Sequence, residues 1–111
     1  MKTIMLVDDS ATLLLSVANI LGKAGYKVEK AASAEEGLRK FATGIAVDLL
    51  ITDLNMPNMD GIAFLKALKS KPEHKFTPVV MLTTESQEAK KKEGQAAGAR
   101  AWIVKPFQPQ I

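Results

Sequence analysis

The sequence contains no cysteine, which excludes disulfides and thiolate metal sites. It has no apolar run approaching the roughly 20 residues that a membrane-spanning helix needs. Met1-Lys2-Thr3 leads straight into a short apolar stretch with no small-residue cleavage site, so no secretory leader is expected. A soluble, cytoplasmic protein without membrane insertion is the expectation. Aromatic residues make up only 5% of the chain and are not grouped with the basic ones, as a nucleic-acid surface would require. The net charge of +3 is small. Its densest basic run, Lys90-Lys91-Lys92, is followed at once by Glu93, the pattern of a solvated helix face. A docking surface for an acidic protein is the alternative, and no direct nucleic-acid contact is expected. Repeats, low-complexity tracts and linkers are also missing. At 111 residues, 47% of them hydrophobic, the chain is long enough for one domain, residues 1–111, with its own core.

What is present is an alternation of short apolar runs and helical patterns. Ile4 to Val7 reads as a strand. Leu13, Leu14, Val17, Ile20 and Leu21 recur at helical spacing and are stopped by Gly25. Tyr26 to Ala31 alternates and carries three charges, which suits an edge strand. Ser33 with Glu36 forms a capping-box pattern ahead of Leu38 and Phe41. Val47 to Thr52 is the most apolar strand candidate. Asp60-Gly61 opens a third helix with Ile62, Leu65 and Leu68 on one face. Pro78 to Leu82, Ser86 to Ala97 and Ala101 to Val104 complete a strand, a helix and a fifth strand. Most strands are continuous apolar runs, which implies burial on both faces of a parallel sheet. The expected fold is α/β, a doubly wound five-stranded parallel sheet with flavodoxin-like order 2-1-3-4-5. The residues Phe107 to Ile111 stand where a fifth helix would begin, so that helix is expected to be absent and the sheet near strands one and five to lose cover.

Ligands of such sheets bind at the carboxyl ends of the strands. The polar residues at those ends are Asp8 and Asp9, then Asp53, then Thr83, Thr84 and Glu85, then Lys105. Three neighbouring carboxylates resist joint ionisation. A hard divalent cation relieves that repulsion, and Mg²⁺ uses one or two carboxylates while keeping several waters. The set therefore suits weakly held Mg²⁺ shared with a phosphate, with Lys105 as a fixed cation for phosphoryl oxygens and Thr83 as a hydrogen-bond donor. Each residue taken singly has a plainer explanation. Asp8 or Asp9 can cap the first helix, Asp53 can be a turn residue, Thr83 can end a strand and Lys105 can be a surface lysine. These explanations weaken together, because the fold gathers all of the residues at one edge.

Four motifs carry a family resemblance: Leu6-Val7-Asp8-Asp9-Ser10, Thr52 to Gly61, Met81 to Glu85, and Val104-Lys105-Pro106-Phe107. Together they resemble the receiver domains of two-component response regulators, most of all the single-domain CheY-like chemotaxis regulators. The resemblance implies that Asp53 is the phosphoacceptor and that a histidine kinase or a small acyl phosphate is the donor. It implies Mg²⁺ binding by Asp9, Asp53 and the backbone carbonyl of Asn55, with Asp8 in support, and pairing of Lys105 with the phosphoryl group. It implies a cis Lys105-Pro106 bond, slow self-catalysed dephosphorylation tuned by Asn55 and Glu85, and a switch formed by Thr83 and Trp102. Tryptophan stands where the family usually has tyrosine or phenylalanine. The fourth helix, which has no large aliphatic residue and contains Gly94, is the expected moving element. A downstream protein would then read the surface from helix four to strand five. The rivals fit less well. An Mg²⁺-dependent aspartyl-phosphate phosphatase has a different first-strand signature, and a nucleotide or flavin module needs glycine loops that this chain lacks. A receiver-like module acting without phosphorylation would not need all five key residues.

Overall fold

The computed structural model describes residues 2–105. Within them the chain forms β1 (Thr3–Val7), α1 (Ala11–Lys23), β2 (Lys27–Ala31), α2 (Ala34–Ala42), β3 (Leu49–Thr52), α3 (Gly61–Lys69), β4 (Val79–Thr83), α4 (Glu88–Ala97) and β5 (Ala101–Val104), with a 3₁₀ turn at Pro72–His74. All neighbouring strands are parallel, and their order is β2-β1-β3-β4-β5. This is the expected topology. Among the described residues no helix is long and apolar enough to cross a membrane. Residues 106–111, where a fifth helix is expected to be absent, and the expected cis Lys105-Pro106 bond lie outside the described residues.

Local chemistry sets the element ends. Ser10 caps α1, its hydroxyl accepting from Leu13 N–H at 3.2 Å. The aspartates of the first motif are therefore free of that task. Ser33 accepts from Glu36 N–H at 3.1 Å, and Glu36 reaches back to Ala32 N–H at 2.7 Å. The capping box is present, shifted by one residue on its return arm. Asp60 caps α3 through Ala63 N–H at 2.8 Å. β3 begins at Leu49, two residues later than its apolar run suggests, because Asp48 turns its carboxylate back onto Thr3 N–H at 2.7 Å. Gln87 makes no side-chain cap, so α4 starts at Glu88.

The larger core lies between the sheet and α2, α3 and α4, where Met5, Phe41, Leu50, Phe64, Leu65, Leu68 and Met81 are fully buried. Phe64 joins Ile62, Leu65 and Leu68 there, widening the apolar stripe of α3 beyond the three-residue reading. On the other face α1 packs through Leu14 and Val17 onto Leu6 and Leu82. Of strands one and five, the loss of cover falls on β5. β1 is buried from Ile4 through Val7, whereas Ala101, Ile103 and Val104 of β5 are exposed. The reason is lateral position: β1 is flanked by β2 and β3 and roofed by α1, while β5 is one of the sheet's two edges.

Candidate functional site at the carboxyl edge of the sheet

Hydrogen bonds of the parallel ladders continue one residue past the strands and fix the site. Asp8 N–H donates to the Ala31 carbonyl at 3.1 Å, Asp53 N–H to the Val7 carbonyl at 3.0 Å, and Lys105 N–H to the Thr83 carbonyl at 2.8 Å. Each functional side chain is thus anchored by its own backbone to the neighbouring strand. Register also places Thr83 and Trp102, the two residues expected to form a switch. Met81 lies opposite Trp102, and side chains two apart share a face, so Thr83 and Trp102 stand on the same side of the sheet.

Asp8 and Asp53 are buried and Asp9 is exposed. Carboxylate oxygens of the three lie within 4.8 Å of one another. Lys105 Nζ donates to Asp8 at 2.8 Å and approaches Asp53 at 3.4 Å. The second Asp8 oxygen accepts from Ser10 N–H at 2.8 Å, and one Asp53 oxygen accepts from Leu54 N–H at 2.7 Å. Burial is the main force on Asp8 and pushes its pKa above the usual carboxylate range. The Lys105 and Ser10 bonds work against that shift, and the Asp53 charge adds to it. For Lys105 burial acts to lower the pKa, but the bond to Asp8 and the charges of Asp53 and Asp8 outweigh it, so the value is raised. The ammonium is thus firmly charged and one of its carboxylate partners is reluctant to be. The donor set is all oxygen and excess negative, which fits a hard divalent cation.

The structure therefore brings Asp8, Asp9, Asp53 and Lys105 together. Thr83 is fully buried at the end of β4, its hydroxyl accepting from Glu85 N–H at 3.3 Å. Asn55 is exposed in the loop after β3. The Glu85 carboxylate accepts from Gln87 N–H at 3.1 Å and so supports the start of α4.

A model of the response regulator receiver domain matches residues 4–111. The chain belongs to the response regulator receiver family. It is 37% identical over 109 residues to the chemotaxis protein CheY1 of Helicobacter pylori, covering 97% of this chain and 88% of that protein. It is 35% identical over 107 residues to the transcriptional regulatory protein ResD of Bacillus subtilis, covering 96% of this chain and 43% of that protein. Among solved structures, the chemotaxis protein CheY4 of Vibrio cholerae superposes with a TM-score of 0.92 at 47% identity, covering 98% of this chain and 90% of that one. This receiver accordingly works in phosphorelay signal transduction, as a signalling protein and not as a turnover enzyme. Receivers use Mg²⁺ at an acidic pocket, and the Asp8, Asp9 and Asp53 cluster is such a pocket.

Composition and spacing did not single out every residue that shapes the site. Gly61 N–H donates to the Leu54 carbonyl at 2.8 Å, and a Cβ on Gly61 would stand 2.3 Å from the Asp53 carbonyl oxygen. That neighbour is backbone and cannot swing away. In the sequence Gly61 closes the Thr52 to Gly61 motif and follows a capping aspartate, where its local pattern reads only as a helix start. Gly61→Ala is expected to displace the Asp53 loop, costing about 2 kcal/mol as an overpacked site and slowing phosphoryl uptake. Urea unfolding and uptake kinetics check this, and a variant with unchanged midpoint and rate would contradict it.

Proposed function

We propose that the whole chain, residues 1–111, works as one receiver that takes a phosphoryl group onto Asp53 from a histidine kinase and signals by changing the surface from α4 to β5. One observation carries the reading. Asp53 is buried, held by Leu54 N–H on one oxygen, and has both a fixed ammonium and two further carboxylates beside it. An Asp53 oxygen attacks the phosphorus in line, the bond from phosphorus to the donor's leaving atom breaks, and an acyl phosphate forms. Lys105 lies within reach of both Asp8 and Asp53. It leaves Asp8 to pair with a phosphoryl oxygen, and the Thr83 hydroxyl donates to another. Asp9, Asp53 and the Asn55 carbonyl would hold Mg²⁺, with Asp8 in support. When bound, the ion offsets the negative charge that the carboxylates and the phosphoryl group share.

Readout runs through Thr83 and Trp102. Their common face and the hydrogen bond that the Trp102 indole N–H donates to the Glu85 carbonyl, in the loop after β4, support this role. α4 supports it too, because Gly94 is its only buried residue. The chemotaxis proteins among the relatives support a chemotaxis regulator as the physiological role, acting in the cytoplasm on a downstream protein target.

Acetyl phosphate with Mg²⁺ is expected to add one phosphoryl group to the intact mass of the wild-type chain and none to Asp53→Asn. Equal gain in the variant would refute the acceptor assignment. Decay of the phosphorylated form tests Asn55 and Glu85. Alanine at either position is expected to change the lifetime severalfold, and an unaltered lifetime in both would remove them from the tuning role.

A further inference from the structure

Trp102 is the chain's single tryptophan. Its indole N–H donates to the Glu85 carbonyl at 2.7 Å, a bond that joins β5 to the loop after β4. The same Glu85 donates its own N–H to Thr83. The loop is therefore pinned at one residue from two directions, by the two side chains assigned to the switch.

The ring reaches that position only because α4 is notched. Gly94 is the buried residue of a helix otherwise made of alanine and charged or polar residues. A Cβ placed on it would lie 2.7 Å from Trp102 Cζ3 and 3.2 Å from Cε3. Both atoms belong to the outer ring of the indole, the part that a tyrosine or phenylalanine does not have. A glycine inside a helix is unfavourable by propensity, so the fold tolerates a local cost where the indole needs the space. Nothing else about Gly94 calls for glycine, since its φ lies outside the left-handed region.

We infer that Gly94 is a positioning residue for the output switch, its missing side chain seating the Trp102 indole so that it clamps the Glu85 carbonyl before any phosphoryl group arrives. The inference rests on the receiver reading of Trp102 and deepens it. The clamp holds the segment carrying Thr83 and Glu85 beside Asp53, so the seat of the indole sets how the loop meets a phosphoryl group. A larger aromatic and a smaller helix residue act as one unit.

The test is Gly94→Ala. The obstructed atoms are at the far end of a side chain, so the ring yields and the helix stays intact. The indole is then displaced toward solvent. Expected results are a red-shifted tryptophan emission, faster exchange of the indole N–H, and a reduced beryllofluoride-induced shift of the Glu85 and Trp102 amides. The background matters for the sign. In Trp102→Phe, which has no outer ring, Gly94→Ala is expected to raise Tm through helix propensity, and in the wild-type background it is expected not to. Unchanged emission and indole exchange in Gly94→Ala, or the same Tm gain in both backgrounds, overturns the inference. Intact mass after acetyl phosphate and Mg²⁺ is followed in parallel. If the wild-type chain gains no phosphoryl group while the indole still moves in Gly94→Ala, the seat stands and the acceptor reading falls.

Discussion

Lys105→Met is expected to destabilise the metal-free protein by about 3 kcal/mol, the low end for removing one partner of a buried ion pair. Methionine keeps the length and removes the charge. Asp8 is left with only Ser10 N–H, and Asp53 with only Leu54 N–H, in a space where the Lys105 and Asp8 side chains are 14% and 2% exposed. Two buried carboxylates would then face each other and the nearby Asp9 without a cation. Urea unfolding in EDTA reads the loss. The same substitution is expected to tighten Mg²⁺ on the order of tenfold, or ~1.4 kcal/mol, because the divalent ion no longer competes with an ammonium. Phosphoryl uptake should nevertheless fall, since the phosphoryl oxygens lose their fixed partner. Stability, ion affinity and uptake thus move in different directions, which general damage to the fold would not produce. An unchanged unfolding midpoint in EDTA would show that the carboxylates are relieved by water instead of by Lys105.

How much of this was visible beforehand depends on the range of the physics. Asp8, Asp9, Asp53 and Lys105 were legible because each ends an apolar run, and a parallel sheet brings such ends to one edge. The strand order was legible for the same reason: continuous apolar runs alternating with helical patterns leave few topologies. The family resemblance implied separate roles for Asp8 and Asp9, but which of the two is buried against Lys105 was not legible. Adjacent residues on an extended chain point to opposite sides, and only the position of Lys105, 97 residues away, decides that Asp8 is the buried partner. Ser10 as the α1 cap was hidden behind two aspartates that are equally good caps by type. The fate of β5 depended on lateral position in the sheet. Gly61 and Gly94 illustrate the limit most directly. Each reads as a local cost or a helix signal, and each proves to be a space reserved for a group distant in sequence, the Asp53 carbonyl in one case and the Trp102 ring in the other.

Asp8→Asn carries the opposite sign. In EDTA at neutral pH it is expected to raise stability, read as a higher unfolding midpoint. Burial raises the pKa of Asp8 despite its bonds to Lys105 and Ser10, so the ionised carboxylate is less comfortable in the folded chain than in the unfolded one. Asparagine keeps the shape and a carbonyl acceptor while carrying no charge. The direction with pH follows from proton counts. Between the unfolded value near 3.8 and the raised folded value, the folded state binds more protons than the unfolded state. Stability of the wild type therefore falls as pH rises through that window. The advantage of Asp8→Asn is thus full above the folded pKa, shrinks as pH falls through it, and vanishes near the unfolded value. Thermal unfolding of the two proteins side by side isolates this term from the other titrating groups. Added Mg²⁺ is expected to reverse the ranking, because a ligand that binds only the folded state stabilises it more the tighter it binds, and the variant has lost a carboxylate expected to support the ion. A variant that melts below the wild type in EDTA at neutral pH would show that the Lys105 bond outweighs burial. In that case Asp8 would belong to the framework of the fold, and the instability stored at the site would have to reside in Asp53 and Asp9 alone.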